Sequence, residues 1–363
     1  MSSEQDGTMK FDYHYQQSID DLHRVPDEFA TFERYGYQAI WVREAEHDSF
    51  LPLAIGALHT TTVEIGTGVA VAFARSPMIA AQLGHDLQLA SGGRFVLGLG
   101  TQMRGHVTRR FSMPFDPPGS RLRDYICAVK AIWRCWNDGE KLDYRGKFYT
   151  IDKMPDYFVP RPSAVGPPSV FMGAVGEGMV RVAGEVAEGI VLHSLLTPDY
   201  LTSVLRPSWT RGLQNRAAPL HRPFQTVAPV LVVTGRDEKE LRSADLQVRS
   251  RIAFLGATRQ YRRIFDHHGW GHIHEQWVAL LRAGEHEEMG RLVDDAMLHA
   301  FAVIAEPRHV AQAMADRYAG TSDRVSAMTP YPTTKELWDD MAAGMRAVTA
   351  DPGSVAMGQG DKN

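Results

Sequence analysis

Short, continuously apolar runs recur along the whole chain, and segments of helical periodicity lie between them. Runs of this kind are expected where both faces of a parallel strand are buried, since half-buried strands alternate apolar and polar residues. Repeated alternation of strand and helix favours a parallel α/β fold. The eight predicted strands are residues 11–13, 39–42, 69–73, 95–99, 170–172, 190–192, 227–233 and 325–328.

Eight strand–helix units are the number that closes a (β/α)8 TIM barrel. The length of 363 residues is compatible with two average domains or with one such barrel carrying additions. Because the units span nearly the whole chain, we expect one barrel domain over residues 9–349, a disordered tail over 1–8 and a flexible tail over 350–363. The predicted helices are residues 25–35, 77–90, 121–136, 176–186 and 335–348.

Two stretches exceed what a minimal barrel needs. Residues 138–168 are rich in proline, and long loops of this kind are uncommon unless they are functional. Residues 235–322 have a mostly helical pattern and are longer than one crossover requires. We therefore expect insertions at the C-terminal face of the strands, where barrel enzymes hold their active sites.

The composition excludes several classes of protein. A net charge of −4 gives no basic field for nucleic acid or anionic lipid. No apolar run reaches the roughly 18 residues of a membrane span, and the N-terminus has no signal-peptide core. Cys127 and Cys135 lie too far apart along a predicted helix to form a disulfide. We expect a cytoplasmic protein with a small-molecule substrate, no nucleic-acid partner and no membrane partner.

Glycine-rich stretches follow two of the predicted strands. The stretch from Gly98 has Met103 where a dinucleotide fingerprint needs its third glycine, and the stretch from Gly176 has Arg181 there. A nicotinamide dehydrogenase of the ordinary type is therefore disfavoured. Residues 173–179 end a strand and open a helix, which indicates either a phosphate seat or a tight turn, with equal weight.

A cluster of titratable residues directly follows the strand at 39–42 and contains Glu44, His47 and Asp48. Histidine exchanges protons near neutral pH, and a neighbouring carboxylate orients it. Such a cluster can also be a polar loop that caps the next helix. We favour catalysis, because in a barrel these residues lie at the C-terminal end of a strand.

Other polar residues also follow predicted strands, namely Gln102, Arg104, His106 and His193. Taken singly, each is typical of an ordinary loop. Residues 266–274 contain four histidines, but Gly269 and Gly271 interrupt the helix that would align them, and no neighbouring cysteine or carboxylate cluster completes a site. We predict no metal site.

Several segments together resemble the luciferase-like monooxygenase superfamily, in particular its branch that uses the deazaflavin coenzyme F420. The most specific is residues 91–102, SGGRFVLGLGTQ. Further similarity lies in residues 39–53, 65–77, 106–114, 173–187, 230–235, 268–271 and 324–330. The resemblance covers about residues 9–345 and implies a (β/α)8 barrel with F420 lying across the C-terminal ends of its strands. FMN is the alternative cofactor.

The resemblance also implies where the cofactor lies. A cis peptide near Val69, Ala70 or Val71 would back the ring, residues Gly98, Gly100, Thr101 and Gln102 would line the ring or its side chain, and Gly176, Glu177, Gly178 and Met179 would take the phosphate. His47 would exchange a proton beside the reacting carbon, with Glu44 or Asp48 as its orienting partner, and His106 and His193 would face the substrate. Glu177 departs from the family, which often has proline there.

Three functions follow as hypotheses. The first is hydride transfer between F420 and a small carbonyl, alcohol or activated alkene. Only eight of the 39 basic residues are lysine, a bias that fits an actinobacterial source, where F420 is common. The second is an FMN-dependent monooxygenase on the same fold, and the third is a barrel that binds a cofactor or ligand without catalysis. The helix-rich surface is compatible with a homodimer.

Overall fold

The computed structural model describes residues 9–15 and 20–350, so that the predicted tail at 1–8 and residues 351–363 of the second tail lie outside the described residues. Eight parallel strands close into a barrel, in which each strand pairs with the next along the chain and β8 pairs with β1. The strands are β1 Lys10–Tyr15, β2 Ala39–Val42, β3 Glu64–Thr67, β4 Phe95–Gly100, β5 Ser169–Gly173, β6 Gly189–Val191, β7 Gln225–Val233 and β8 Arg324–Met328. The chain is a (β/α)8 barrel.

Seven of the eight predicted strands are found within two residues of their expected ends, and the third prediction was wrong. The third barrel strand is Glu64–Thr67, which has one strongly apolar residue and a glycine and so gives no apolar run. In the apolar run that follows it, only Ala70–Val71 pairs, with β4, before a 3₁₀ turn at Ala72–Ala74. Apolar character at 69–73 reflects burial at the barrel rim and not a long strand.

Helices surround the barrel, and each of the five predicted helices is present, with ends that differ by no more than three residues. None of the helices within residues 9–15 and 20–350 is long and apolar enough to cross a membrane. The α-helices are α1 Val25–Tyr35, α2 Phe50–His59, α3 Pro77–Ala90, α4 Pro118–Asp138, α5 Glu177–Val186, α6 Pro198–Tyr200, α7 Arg206–Gln214, α8 Glu238–Gly256, α9 Arg262–His267, α10 His274–Ala283, α11 His286–Arg291, α12 Asp295–Phe301, α13 Val310–Tyr318 and α14 Lys335–Ala350.

A buried ion pair joins the first and last strands at the N-terminal end of the barrel. The Arg324 guanidinium donates to both carboxylate oxygens of Asp12, over 2.7 and 2.9 Å. The indole of Trp41 donates to the same carboxylate over 2.8 Å. Both members of the pair are therefore satisfied, as a buried charge requires. Above them the barrel is filled by apolar side chains, including Trp41, Val96 and Phe171.

The two additions predicted from sequence have different positions. Residues 139–168 leave the end of α4 and fold back along it as a hairpin of Tyr144–Arg145 and Thr150–Ile151. The Asp124 carboxylate on α4 accepts hydrogen bonds from the backbone N–H of Phe148 and Tyr149, over 2.5 and 3.2 Å. The second addition, α8 to α12, leaves the C-terminal end of β7 and therefore begins at the barrel mouth.

Candidate active site

The C-terminal ends of the eight strands meet at one end of the barrel, its mouth, and the residues that follow them surround it. A cis peptide between Gly68 and Val69, directly after β3, lies at this rim. The resemblance implies a cis peptide near Val69, Ala70 or Val71, and this one directly precedes Val69. The Val69 side chain packs onto the apolar filling of the barrel.

Glycines on the neighbouring strands make room for Val69 and for the end of β3. A Cβ at Gly100 would lie 2.6 Å from Val69 Cγ2, and one at Gly173 would lie 3.1 Å from it. A Cβ at Gly98 would lie 1.9 Å from the carbonyl oxygen of Thr67, whose hydroxyl donates to Gly98 O over 2.6 Å. Only glycine fits at Gly98, because β3 and β4 approach too closely for a side chain. The ends of β3, β4 and β5 thus pack closely around the half-buried Val69, and we call Val69 with these three glycines the Val69 ledge.

The Glu44 carboxylate is hydrogen-bonded to groups other than His47. It accepts hydrogen bonds from the Arg75 guanidinium over 2.7 and 2.8 Å and from Val71 N over 2.7 Å. Asp48 caps α2 by accepting from the N–H of Phe50 over 2.8 Å, and it also lies 3.5 Å from Arg75. Both carboxylates therefore hold the backbone of the rim in place.

His47 finds a different partner from the two that the sequence suggested. Its Nε2 lies 3.1 Å from the Asp20 carboxylate, on the loop after β1, and 48% of its side chain is exposed. A carboxylate on an imidazole nitrogen fixes the ring and its tautomer. In the structure, Asp20 has the orienting position that was assigned to Glu44 or Asp48.

The N-terminus of α5 is open. Gly176 is its N-cap, and a Cβ at Gly176 or Gly178 would meet no atom within 4 Å. The first N–H groups of a helix have no intrahelical acceptor, and they favour an anion. Glu177 lies near Tyr200, where its charge adds to burial in raising the pKa of the phenol. Met179, half-buried, follows them on α5.

The loop after β4 is mostly exposed. Gln102 has a φ of 56°, and its side-chain oxygen accepts from the N–H of Met103 over 3.1 Å. Thr101 donates to the Gln102 carbonyl oxygen over 3.1 Å. His106 is exposed at the start of a short π-helical turn, His106–Arg110. Gln102 and His106 thus have no buried contact that assigns them a role.

His14, which lies on β1 inside the barrel, was not predicted from the sequence as a site residue. Its Nδ1 is hydrogen-bonded to Ser326 Oγ on β8 over 2.6 Å, and its Nε2 is buried without a partner among the described residues. A Cβ at Gly68 would lie 3.5 Å from this Nε2. Burial, with the charge of Arg43 as a second cause, lowers the pKa of His14 to about 3. The imidazole is therefore neutral beneath the mouth.

His193, after β6, is held between two groups. Its ring stacks on Tyr261 with centroids 4.5 Å apart, and its Nδ1 accepts from the N–H of Leu195 over 3.2 Å. Burial, with the nearby Arg251 guanidinium as a second cause, lowers the pKa of His193 to about 4. The ring is therefore neutral, and its assignment to the substrate wall stays a prediction. Arg251 and Tyr261 gave no signal in the sequence, because they belong to the addition after β7.

Three potential metal ligands, Asp199, His267 and His268, have donor atoms within 4.8 Å of one another. The sequence predicted no metal site here. His267 pairs with Asp199 over 2.6 Å, and His268 is hydrogen-bonded to Thr197 over 2.9 Å. These contacts already use the groups that a cation would need, so the cluster has a structural explanation as hydrogen bonds between α6 and α9.

Comparisons with known proteins place these features in context. The luciferase-like monooxygenase family model matches residues 8–324. An uncharacterized protein of Mycobacterium tuberculosis is 45% identical over 304 residues, which are 84% of this chain and 89% of that protein. The 5,10-methylenetetrahydromethanopterin reductase of Archaeoglobus fulgidus is 23% identical over 312 residues, 84% of this chain and 89% of that protein.

Among solved structures, the coenzyme F420 dependent tetrahydromethanopterin reductase from Methanopyrus kandleri superposes with a TM-score of 0.75. The match covers 94% of this chain and 99% of that chain at 19% identity. At this identity the likeness concerns the fold, and it agrees with the closed barrel described above.

Proposed function

The chain belongs to the luciferase-like monooxygenase family of oxidoreductases, and we propose that it is an F420-dependent member of it. It transfers a hydride between F420 and a small organic carbonyl, alcohol or activated alkene. The observation that carries this proposal is the Val69 ledge, where Gly98, Gly100 and Gly173 place no side chain beside the half-buried Val69 at the barrel mouth. A planar tricyclic ring needs such a surface, because side chains there would hold it away from the backbone.

We infer which of the described residues would hold each part of the cofactor. Val69, Ala70 and Val71 would back the ring, with Gly98, Gly100, Thr101 and Gln102 along its edge and side chain. The N-terminus of α5 at residues 176–179 would hold the phosphate, because the N–H groups of Glu177 and Gly178 have no acceptor among the described residues, whereas the N–H of Met179 donates to Gly176 O over 2.9 Å. The carboxylate of Glu177 lies near Tyr200, and the N-cap glycine leaves the approach to those N–H groups clear.

His47 would manage the proton that accompanies hydride transfer. F420, when bound, supplies or accepts the hydride, and the protein positions the substrate. A proton then has to leave or reach the substrate oxygen or carbon. His47 is half exposed and paired with Asp20, so that it can exchange a proton with both solvent and substrate. Neutral His193 and exposed His106 would contact the substrate.

A fluorescence titration of the purified full chain tests the choice of cofactor. Both F420 and FMN are fluorescent, and we expect quenching of F420 with saturable binding. Reduction of bound F420 in a panel of alcohols, or oxidation of reduced F420 in a panel of aldehydes and activated alkenes, then tests catalysis. Tight FMN binding with no response to F420, together with oxygen consumption, would instead identify an FMN-dependent monooxygenase. If the wild-type protein binds F420 but turns over no substrate of the panel, a non-catalytic barrel is favoured.

A further inference from the structure

We propose that His193 donates a hydrogen bond from its Nε2–H to the oxygen of the substrate, and that this substrate is an aldehyde or a ketone. The inference rests on the proposed function, because it names the substrate class of the same site. It goes beyond a contact at the substrate wall, since the fold gives this ring one chemical role, that of a donor whose proton stays in place.

The register of the sheet places His193 next to the Val69 ledge. Val191, the last residue of β6, pairs with Gly173 of the ledge, and its side chain belongs to the apolar filling of the barrel. The pairing continues for one residue, because the N–H of Leu192 donates to a carbonyl oxygen of β7 over 2.9 Å. Side chains two positions apart in a strand share a face and lie about 7 Å apart along it. His193 therefore follows Val191 on the inner face, one layer higher, at the mouth.

A tight turn after β6 holds the imidazole and determines its tautomer. The N–H of Leu195 donates to His193 Nδ1 over 3.2 Å, and the N–H of Leu196 donates to the His193 carbonyl oxygen over 3.1 Å. Both leucines are buried, which anchors the turn. Because a backbone N–H can only donate, Nδ1 is the acceptor nitrogen of the neutral ring. The proton of the ring is therefore on Nε2.

The Nε2–H group is available to a ligand in the mouth. His193 is the one residue between Val191 and Thr197 that is not buried. Within residues 9–15 and 20–350, its Nε2 has no hydrogen-bond partner, whereas its Nδ1 is bound to the turn. Tyr261 covers one face of the ring, with centroids 4.5 Å apart and 30° between the planes. The stacked ring is thus fixed at one face and at one nitrogen, and the other nitrogen is left for a ligand.

A ring held in this way can donate a proton to a hydrogen bond but cannot take up a second one. Burial first, and the Arg251 guanidinium second, lower the pKa of His193 to about 4, so that the ring is neutral at pH 7. Its acceptor nitrogen is already bound to Leu195 N–H. His193 therefore differs from His47, which is half exposed and paired with Asp20, and which we assigned to proton exchange.

This fixed donor fits the charge that develops in carbonyl reduction. When the hydride reaches the carbonyl carbon, the π electron pair moves to the oxygen, and the proton assigned to His47 then completes the alcohol. A preorganised N–H donor beside that oxygen stabilises its developing negative charge, and it does so without giving up its own proton. In an aldehyde or a ketone, the charged oxygen is bonded directly to the carbon that takes the hydride, so that one donor at the ledge is enough.

The tautomer can be tested without substrate or cofactor. Two-bond ¹⁵N–¹H correlation spectra of the full chain, labelled with ¹⁵N at histidine, distinguish a protonated from an unprotonated ring nitrogen. The His193 signals are assigned by their loss in His193→Gln. We expect a neutral ring protonated on Nε2 at pH 7. A proton on Nδ1, or on both nitrogens, would overturn the proposal.

Three variants of His193 test the donor in the reaction. His193→Asn keeps an acceptor for the N–H of Leu195 but does not reach the position of Nε2, His193→Leu has neither group, and His193→Gln reaches that position with an N–H. In the reduction of a panel of aldehydes and ketones by reduced F420, we expect kcat to fall by about 10²–10³-fold in His193→Leu and His193→Asn, as for loss of one oxyanion donor. His193→Gln should recover at least about tenfold of this loss.

The control is His286→Leu, an exposed histidine on α11, whose kcat should equal that of wild type. If His193→Leu does not fold, the comparison of His193→Asn with His193→Gln decides, because both are polar and differ in reach. A kcat for His193→Asn equal to that of wild type or of His193→Gln would contradict the donor role.

An F420 titration of the same variants separates this inference from the proposed function. If His193→Asn weakens F420 binding by more than about fivefold, the donor contacts the cofactor and its assignment to the substrate is wrong. If wild type reduces activated alkenes but no aldehyde or ketone, the proposed function stands and this inference fails. If wild type binds no F420, the proposed function fails and the carbonyl donor fails with it.

Discussion

Glu44 and Arg75 form a bidentate ion pair, with N–O distances of 2.7 and 2.8 Å, that joins the loop after β2 to the segment carrying the Val69 ledge. Both side chains are nearly buried, at 9% and 12% exposed. The N–H of Val71 donates to the same carboxylate over 2.7 Å. Glu44 therefore acts on the site through the backbone that it holds.

Breaking this pair should destabilise the protein strongly. In Arg75→Met the Glu44 carboxylate would remain buried without its partner, and we expect the free energy of unfolding to fall by about 3–5 kcal/mol. Urea unfolding followed by circular dichroism measures the change. Arg282→Met, an exposed control, should stay within about 0.5 kcal/mol of wild type. A loss below about 1 kcal/mol in Arg75→Met would show that the pair contributes little.

Removing His47 should affect turnover and leave cofactor binding intact. We expect His47→Ala to lower kcat by about 10²–10⁴-fold, the usual contribution of general acid–base catalysis. Asp20→Asn should lower it less, because the imidazole remains. The measurement is the rate of F420 reduction or oxidation, with the F420 dissociation constant determined alongside. His286→Ala, an exposed histidine on α11, is the control, and an equal rate in His47→Ala would remove His47 from the mechanism.

Substitution of three glycines by alanine should lower the stability of the protein to three different degrees. Gly105→Ala meets open space and should be neutral. In Gly100→Ala the new methyl displaces the Val69 side chain, and we expect a stability loss of about 1–3 kcal/mol together with weaker F420 binding. Gly98→Ala drives a methyl into the Thr67 carbonyl and should be the most destabilised. Thermal unfolding and F420 titration would test the ranking, which equal behaviour of Gly100→Ala and Gly105→Ala would contradict.

His14 should make stability depend on pH. Burial first, and Arg43 second, lower its pKa to about 3, whereas the unfolded chain has the ordinary value near 6.5. Below pH 6.5, His14 binds a proton in the unfolded chain but stays neutral in the folded protein. The free energy of unfolding therefore falls by about 1.4 kcal/mol per pH unit until the pH reaches the pKa of the folded state. The contribution is complete above pH 6.5.

The check for His14 is urea unfolding at pH 7 and pH 5 of wild type and His14→Gln. Wild type should lose about 2 kcal/mol more than the variant between the two values, because Gln does not titrate. Each loss is a difference between two pH values for one protein, so a change in stability that the substitution causes equally at both pH values cancels. Equal losses would mean that His14 does not take part in the pH response.

Much of the fold could be predicted from the sequence, because burial of both strand faces produces apolar runs that are visible locally. Seven barrel strands and five helices follow from such runs and from the prolines and glycines at their ends. β3 could not be found in this way, since only one of its four residues, Ile65, is strongly apolar. Its identity depends on pairing with β2 and β4, which is a property of the folded barrel.

The candidate site, like the fold, could be predicted from the sequence only in part. The sequence by itself determined which segments reach the barrel mouth, because the residues that follow a parallel strand must lie at its C-terminal end. Only the tertiary structure decided which side chains meet there: Glu44 with Arg75, and His47 with Asp20. These partners are 31 and 27 positions apart, and no local pattern records such contacts, because they form only when the loops that follow neighbouring strands pack together at the mouth.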